Sequence, residues 1–162
     1  MKSEKVIEGK YVLVVDDEQD VLDTLIEYLE MCRLDTASSF EEAKKLLEDN
    51  DYDIAVLDIM GVNGYELLKT ANSRNIPAVM LTAHALSSDN MNRSAEEGAA
   101  YYAPKDKISE IGDFLADVFE AIDEGVSPWE KLFFRLDRYF NKKFHGTDWR
   151  EKVVEYAKTR DV

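Results

Sequence analysis

The stretch Asp53-Ile54-Ala55-Val56-Leu57-Asp58 decides the fold of this 162-residue chain. It is short, apolar and contains β-branched residues, which is typical of a strand buried on both faces of a parallel sheet. In open α/β sheets, ligands bind beyond the carboxyl ends of the strands. Because Asp58 is the last residue of the run, we expect its carboxylate to lie at that edge and to be the reactive group of the chain.

Three further apolar runs, at residues 11–15, 78–81 and 99–103, also lead into polar side chains. The polar residues that follow these runs are Asp16 and Asp17, then Thr82, and then Lys105. Parallel strands bring their carboxyl ends to one edge, so three carboxylates, a hydroxyl and an ammonium should meet there. Such a set suits a divalent cation and a phosphoryl group.

The segments between these strands carry apolar side chains at three- and four-residue spacing, which predicts helices. With a weak strand at 34–38, strands and helices alternate five times. Right-handed crossovers then give an α/β fold, a parallel sheet with helices on both faces. The predicted helices are 18–31, 40–48 with Ser39 as its cap, 65–75, 89–97, and a fifth whose core face is Ile108, Ile111, Leu115, Val118 and Ile122.

Composition excludes several classes of protein. Hydrophobic residues make up 45% of the chain and charged residues 33%, which is typical of a globular protein. No apolar run approaches the roughly 20 residues that span a bilayer, and the polar N-terminus lacks the apolar core of a signal peptide. Cys32 is the single cysteine, so no intramolecular disulfide can form. We therefore predict a soluble, cytoplasmic protein without membrane contact.

The net charge of −14 is unevenly distributed. The first 126 residues hold 28 acidic and 11 basic side chains, whereas residues 127–162 hold 6 acidic and 9 basic ones. An acidic body opposes non-specific binding to nucleic acid, because such binding depends on neutralising phosphates. It suits a carboxylate pocket that concentrates metal cations. We interpret Glu18, Asp20 and Asp23 as solvated charges on a helix face.

The shift in composition marks a boundary near Gly125 and Pro128, residues that suit the end of one helix and the start of the next. We predict an N-terminal segment at 1–9, one domain at 10–125 and a helical hairpin extension at 126–162. The extension has an apolar stripe that either packs on the body or on itself, or serves as a docking surface. The stripe consists of Trp129, Phe133, Leu136, Phe140 and Phe144, continued by Trp149, Val153 and Tyr156.

Between about Lys10 and Glu124, several segments resemble, in order, motifs of the receiver domain of bacterial two-component response regulators. The matching segments are 14–18 (an acidic pair after the first strand), 57–60 (the phosphoacceptor segment), 80–83 (the hydroxyl-bearing switch strand) and 101–105 (a switch aromatic, then a lysine). Each motif alone is weak, whereas the whole set in register is specific. The resemblance implies a flavodoxin-like sheet with strand order 2-1-3-4-5.

The resemblance also implies a function. A sensor histidine kinase or a phosphotransfer protein would donate a phosphoryl group to Asp58, and the modified domain would act on a downstream protein target. Mg²⁺ would be held by Asp17, Asp58 and the main-chain carbonyl of Met60, with Asp16 acting through a bound water. Lys105 and Thr82 would hold phosphoryl oxygens.

Switching would follow from the same residues. Thr82 would move toward the phosphoryl group and Tyr102 would fill the space that it leaves, with Tyr101 on the opposite side of the strand. This would alter the face made by the fourth helix, fifth strand and fifth helix of the β/α units, which is a candidate homodimer surface. The implied protein is a phosphoacceptor rather than an enzyme, apart from slow hydrolysis of its own phosphoryl group.

One segment departs from the family pattern. The loop after Asp58 reaches Gly64 in six residues, and Gly61-Val62-Asn63 replaces a longer turn that contains proline. Two other functions stay open. A magnesium-dependent phosphatase with an aspartyl nucleophile typically has a second acid two residues on, where this chain has Met60. A phosphorylation-independent scaffold typically lacks the acids that this chain keeps.

Overall fold

The computed structural model describes residues 2–83 and 88–143. Its centre is a five-stranded parallel sheet in the order β2-β1-β3-β4-β5, which confirms the predicted fold class. The central strands are rich in valine, isoleucine and leucine because helices cover both of their faces. The strands are β1 (Tyr11–Val15), β2 (Arg33–Ala37), β3 (Ile54–Asp58), β4 (Ala78–Thr82) and β5 (Tyr101–Pro104).

The helices alternate with the strands and extend the domain at both ends. They are α1 (Lys2–Ile7), α2 (Gln19–Tyr28), α3 (Phe40–Asp49), α4 (Gly64–Ser73), α5 (Ser88–Glu96), a 3₁₀ helix (Lys105–Glu110), α6 (Ile111–Glu124) and α7 (Pro128–Lys143). The fourth and fifth helices of the β/α units are therefore α5 and α6. No helix in the described ranges is long and apolar enough to cross a bilayer.

Local sequence signals set several helix ends. The Ser39 hydroxyl accepts a hydrogen bond from the Glu42 amide at 3.2 Å, which confirms the predicted cap of α3. Gly125 ends α6 in the left-handed region, with φ 73°, where a glycine carries no steric cost. Pro128 is the first residue of α7, a position at which a missing N–H leaves no bond unmade.

The structure adds one helix that the sequence did not predict and corrects one predicted core face. Residues 2–7 form α1, which packs on α6: Ile7 is fully buried and the Ser3 hydroxyl donates to Asp113 Oδ1 at 2.6 Å. Ile122 does not belong to the core face of α6, because its side chain is 55% exposed. In the last turn of α6 the buried position falls on Ala121, three residues after Val118 rather than four.

The beginning of the predicted extension is helical and packed. Trp129, Leu132 and Phe133 of α7 are buried, which favours packing on the body for this part of the stripe. The side chains of Leu136 and Phe140, and all of residues 144–162, lie outside what the structure describes. The second half of the hairpin and the domain boundaries stay predictions.

Candidate functional site

The sheet brings the predicted polar residues to one edge. Asp16 follows β1 directly, Asp58 ends β3 and Thr82 ends β4, and all three are buried. Asp58 lies opposite Leu81 in the β3–β4 register, and Thr82 lies opposite Pro104, the residue before Lys105. The strand ends therefore cluster four of the side chains chosen from the sequence.

Lys105 is the centre of the site. Its Nζ lies 2.9 Å from Asp16 Oδ2, 3.2 Å from Asp58 Oδ1 and 3.3 Å from Glu18 Oε1. Burial alone would lower the pKa of the Lys105 ammonium, but the carboxylates of Asp16 and Asp58 outweigh burial and raise the pKa above its ordinary value. Lys105 is therefore a permanent positive charge beside Asp58.

The Asp58 carboxyl group is unusually basic. Burial, followed by the negative charge of Asp16, raises its pKa to about 6; Lys105 opposes this rise and Asp17 adds to it. In the absence of a bound cation, the ionised form of Asp58 therefore destabilises the fold. Its charge is a reason for the site to take up a further cation.

Three carboxylates form a potential cation site next to Asp58. Ligand oxygens of Asp16, Asp17 and Glu18 all lie within 4.8 Å of one another. Asp16 is fully buried, and among the described residues its Oδ2 faces a single positive group, Lys105 Nζ at 2.9 Å. A buried carboxylate among other carboxylates fits Mg²⁺, which prefers hard oxygen ligands.

Glu18 is exposed, as predicted, but it also contacts the site, which the sequence did not predict. Its side chain is 64% exposed, as expected for a solvated charge, but its carboxylate also contacts Lys105 and joins the acidic cluster. Its amide N–H donates to Asp16 Oδ1 at 2.9 Å, which holds the turn after β1 together. Its position next to the acidic pair was the available signal.

The short loop after Asp58 closes through a tight turn. The Val62 amide donates to the Met60 carbonyl at 2.7 Å across Gly61, whose φ is 74°, the geometry of a γ-turn. The Met60 carbonyl, proposed as a metal ligand, therefore already accepts one hydrogen bond and keeps one lone pair. The Met60 side chain is 60% exposed.

Both glycines of this loop pack directly on the site. A Cβ at Gly61 would lie 2.5 Å from an Asp17 carboxylate oxygen, and a Cβ at Gly64 would lie 2.2 Å from the Asp58 carbonyl oxygen. Real Cβ atoms do not approach other atoms so closely. The shortened loop therefore depends on glycine at both positions to leave Asp17 and Asp58 in place.

The two tyrosines of β5 are both fully buried and, being adjacent in a strand, face opposite sides of the sheet. Tyr102 lies opposite Met80 in the register. Tyr101 packs on Phe114 of α6 with ring centroids 5.8 Å apart. The Tyr101 hydroxyl donates to Asp117 at 2.5 Å, a contact that the sequence pattern did not indicate.

The raised pKa of Asp58 predicts a pH-dependent effect on stability. Its folded pKa of about 6 exceeds the ordinary 3.8, so ionisation destabilises the fold as pH rises from about 4 to 6. In metal-free buffer, Asp58→Asn should raise the free energy of unfolding by about 1–3 kcal/mol at pH 7 and by little at pH 4. Urea unfolding at both pH values measures this difference. A constant difference across this range would contradict the prediction.

Comparison with known proteins agrees with this geometry. Residues 12–115 match the family model of the response regulator receiver domain. Over 98 residues the chain is 41% identical to the heme response regulator HssR of Staphylococcus aureus (strain Newman), covering 57% of this chain and 43% of that protein. The chain thus spans less than half the length of this relative.

Solved structures share the fold. The receiver domain of the Francisella response regulator 1452 superposes with a TM-score of 0.63 at 26% identity, covering 70% of this chain and 99% of that one. A CheY-like receiver domain protein from Methanospirillum hungatei JF-1 gives a TM-score of 0.55 at 23% identity, covering 86% and 99%. The chain belongs to the response regulator receiver domain family.

Proposed function

We propose that this chain is a signalling switch that accepts a phosphoryl group on Asp58 from a sensor histidine kinase or a phosphotransfer protein. The observation that carries the proposal is the position of Asp58. Its buried carboxylate ends β3 at the edge where ligands bind in this fold, 3.2 Å from the Lys105 ammonium and beside the cluster of Asp16, Asp17 and Glu18.

The residues fit phosphoryl transfer by positioning and charge. A carboxylate and a phosphoryl donor repel each other, so Asp58 needs positive charge nearby to attack phosphorus. Lys105 is permanently charged, and its ammonium can move from the carboxylates to a phosphoryl oxygen. The Thr82 hydroxyl, at the end of the neighbouring strand, is our candidate donor to another oxygen. No other side chain needs to form a covalent bond during the transfer.

Mg²⁺ is the proposed cofactor. Asp17, Asp58 and the free lone pair of the Met60 carbonyl would hold it, with Asp16 acting through a water. When bound, the cation neutralises charge on the carboxylates and on the incoming phosphoryl group. The protein itself holds these oxygens close together although the carboxylates repel one another. Lys105 offsets part of the negative charge, and the two glycines of the loop leave room for Asp17 and Asp58.

The other two functions are less well supported. A phosphatase with Asp58 as nucleophile would need a proton donor two residues on, and Met60 has an exposed thioether there. A scaffold without phosphorylation would not need two buried carboxylates, Asp16 and Asp58, that both contact Lys105. It would also not need the burial that raises the pKa of Asp58. Both observations favour the phosphoacceptor.

Acetyl phosphate tests the proposal. Incubation of the full chain with acetyl phosphate and Mg²⁺ should add one phosphoryl group, seen by intact mass and lost in base. Continuous release of phosphate from p-nitrophenyl phosphate, without an accumulated adduct, would instead favour the phosphatase. If neither an adduct nor turnover is detected, the result would favour the scaffold.

The metal site yields a separate prediction. Asp17→Ala removes a proposed direct ligand, so its Kd for Mg²⁺ should rise by roughly tenfold or more, which is about 1.4 kcal/mol. Titration of Mg²⁺ by isothermal calorimetry measures this change. The matched control is Asp23→Ala on the exposed face of α2, where Asp23 contacts Gln19. It loses the same charge and should change the Kd little; equal effects would place the metal elsewhere.

A further inference from the structure

The first part of α7 is built into the surface formed by β5 and α6. Trp129, Leu132 and Phe133 are buried there, at the edge strand of the sheet. The Trp129 indole N–H donates to the Ala99 carbonyl at 2.9 Å, just before β5 begins. This helix therefore covers part of the α5–β5–α6 face that was a candidate homodimer surface.

A charged network adds a specific connection to the apolar contact. Arg135 of α7 donates from Nε and Nη2 to the two carboxylate oxygens of Asp117, at 2.7 and 3.0 Å. The same carboxylate accepts the Tyr101 hydroxyl at 2.5 Å. Asp117 and Tyr101 are buried, so this paired, two-point contact between three elements has a single good geometry.

The network and the phosphorylation site share one strand. Tyr101 begins β5, and Lys105 follows its last residue, Pro104. Lys105 in turn begins the 3₁₀ helix that leads into α6, which carries Asp117. In the structure Lys105 is held by Asp16 and Asp58. A phosphoryl group on Asp58 would offer Lys105 new oxygens and so change the position of the end of β5.

We propose that α7 is a lock that closes the β5–α6 surface while Asp58 is unmodified and is released when Asp58 carries a phosphoryl group. The inference rests on the proposed function. Docked α7 holds β5 and α6 in the arrangement in which Lys105 bridges Asp16 and Asp58. Because coupling is reciprocal, a modification that weakens docking of α7 must itself be favoured when docking is weakened.

Trp129 reports directly on the lock. The chain has two tryptophans, so Trp149→Phe leaves Trp129 as the single emitter. In this variant of the full chain, Mg²⁺ with beryllofluoride, a phosphoryl mimic, should raise acrylamide quenching of Trp129 several-fold. The additional substitution Asp58→Asn should abolish the increase. Fluorine NMR of bound beryllofluoride, recorded in parallel, measures occupancy of the site.

The two readouts separate the two proposals. Bound beryllofluoride with unchanged Trp129 quenching would overturn the lock and leave the proposed function intact. Absence of bound beryllofluoride would overturn both. Increased quenching that persists in the Asp58→Asn variant would also overturn the lock, since release would then be independent of the site.

A second arm tests the reciprocal effect. Arg135→Gln removes the two-point contact with Asp117 and should increase the apparent affinity for beryllofluoride several-fold at saturating Mg²⁺. The control is Glu130→Gln on the same helix, whose exposed side chain makes no ion pair with any described residue. This control should leave the affinity unchanged. Unchanged or weaker affinity in a folded Arg135→Gln variant would overturn the lock.

Discussion

Asp58→Asn is expected to abolish phosphoryl incorporation completely. The amide is nearly the same size as the carboxylate but lacks the nucleophilic oxygen. Among the described carboxylates that contact Lys105, only Asp58 ends a strand. Because the substitution also removes a buried charge, the variant should be folded and more stable than the parent at neutral pH. Loss of incorporation is thus separable from loss of the fold.

Intact mass after incubation with acetyl phosphate and Mg²⁺ measures the effect. The matched control is Asp53→Asn, at the other end of the same run, where the side chain accepts a hydrogen bond from the Tyr11 amide at 2.8 Å. An asparagine oxygen can still accept that bond, so the control should be phosphorylated like the parent. Undiminished modification of Asp58→Asn would show that another residue is the acceptor.

Gly64→Ala should damage both the fold and the site. An added Cβ would lie 2.2 Å from the Asp58 carbonyl oxygen, a backbone atom that cannot rotate away. Either α4 or the end of β3 must move, which we expect to cost about 3 kcal/mol of unfolding free energy. Movement of β3 displaces the Asp58 carboxylate from Lys105, so the remaining folded protein should also be phosphorylated at least about tenfold more slowly.

Gly112→Ala is the control for this substitution. Gly112 lies in α6, where a Cβ would make an ordinary contact of 3.6 Å with Ile7 Cδ1. Alanine is a better helix former, so this variant should gain up to about 1 kcal/mol and be phosphorylated normally. Urea unfolding and the initial rate of phosphoryl incorporation measure both variants. Parent-like behaviour of Gly64→Ala would show that the loop is not packed on the site as described.

The sheet and the cluster at its edge were predictable because each depends on a local pattern. The residues from Ile54 to Asp58 form a buried strand almost by composition alone, and parallel topology then fixes where Asp16, Thr82 and Lys105 must lie. The boundaries of β1 were predicted to the residue, since Lys10 and Asp16 flank a continuous apolar run. Strong local patterns thus determined both the fold and the candidate site.

The features that the sequence did not reveal depend on contacts between distant segments. The pairing of Arg135 with Asp117 joins two charged helix positions that look solvated when each helix is read alone. The six-residue α1 is too short for periodicity to distinguish it from a polar tail. The packing of Gly64 against Asp58 likewise depends on how a loop folds back, which spacing does not specify.

The contact between Ser3 and Asp113 joins residues 110 positions apart and has a consequence for biosynthesis. During translation β1, β2 and β3 can emerge and pair while α1 still has no surface to pack on, because that surface is α6. Ile7 must stay exposed until α6 leaves the ribosome. Residues 2–7 are therefore made before the sheet but become ordered only after all five of its strands have been made.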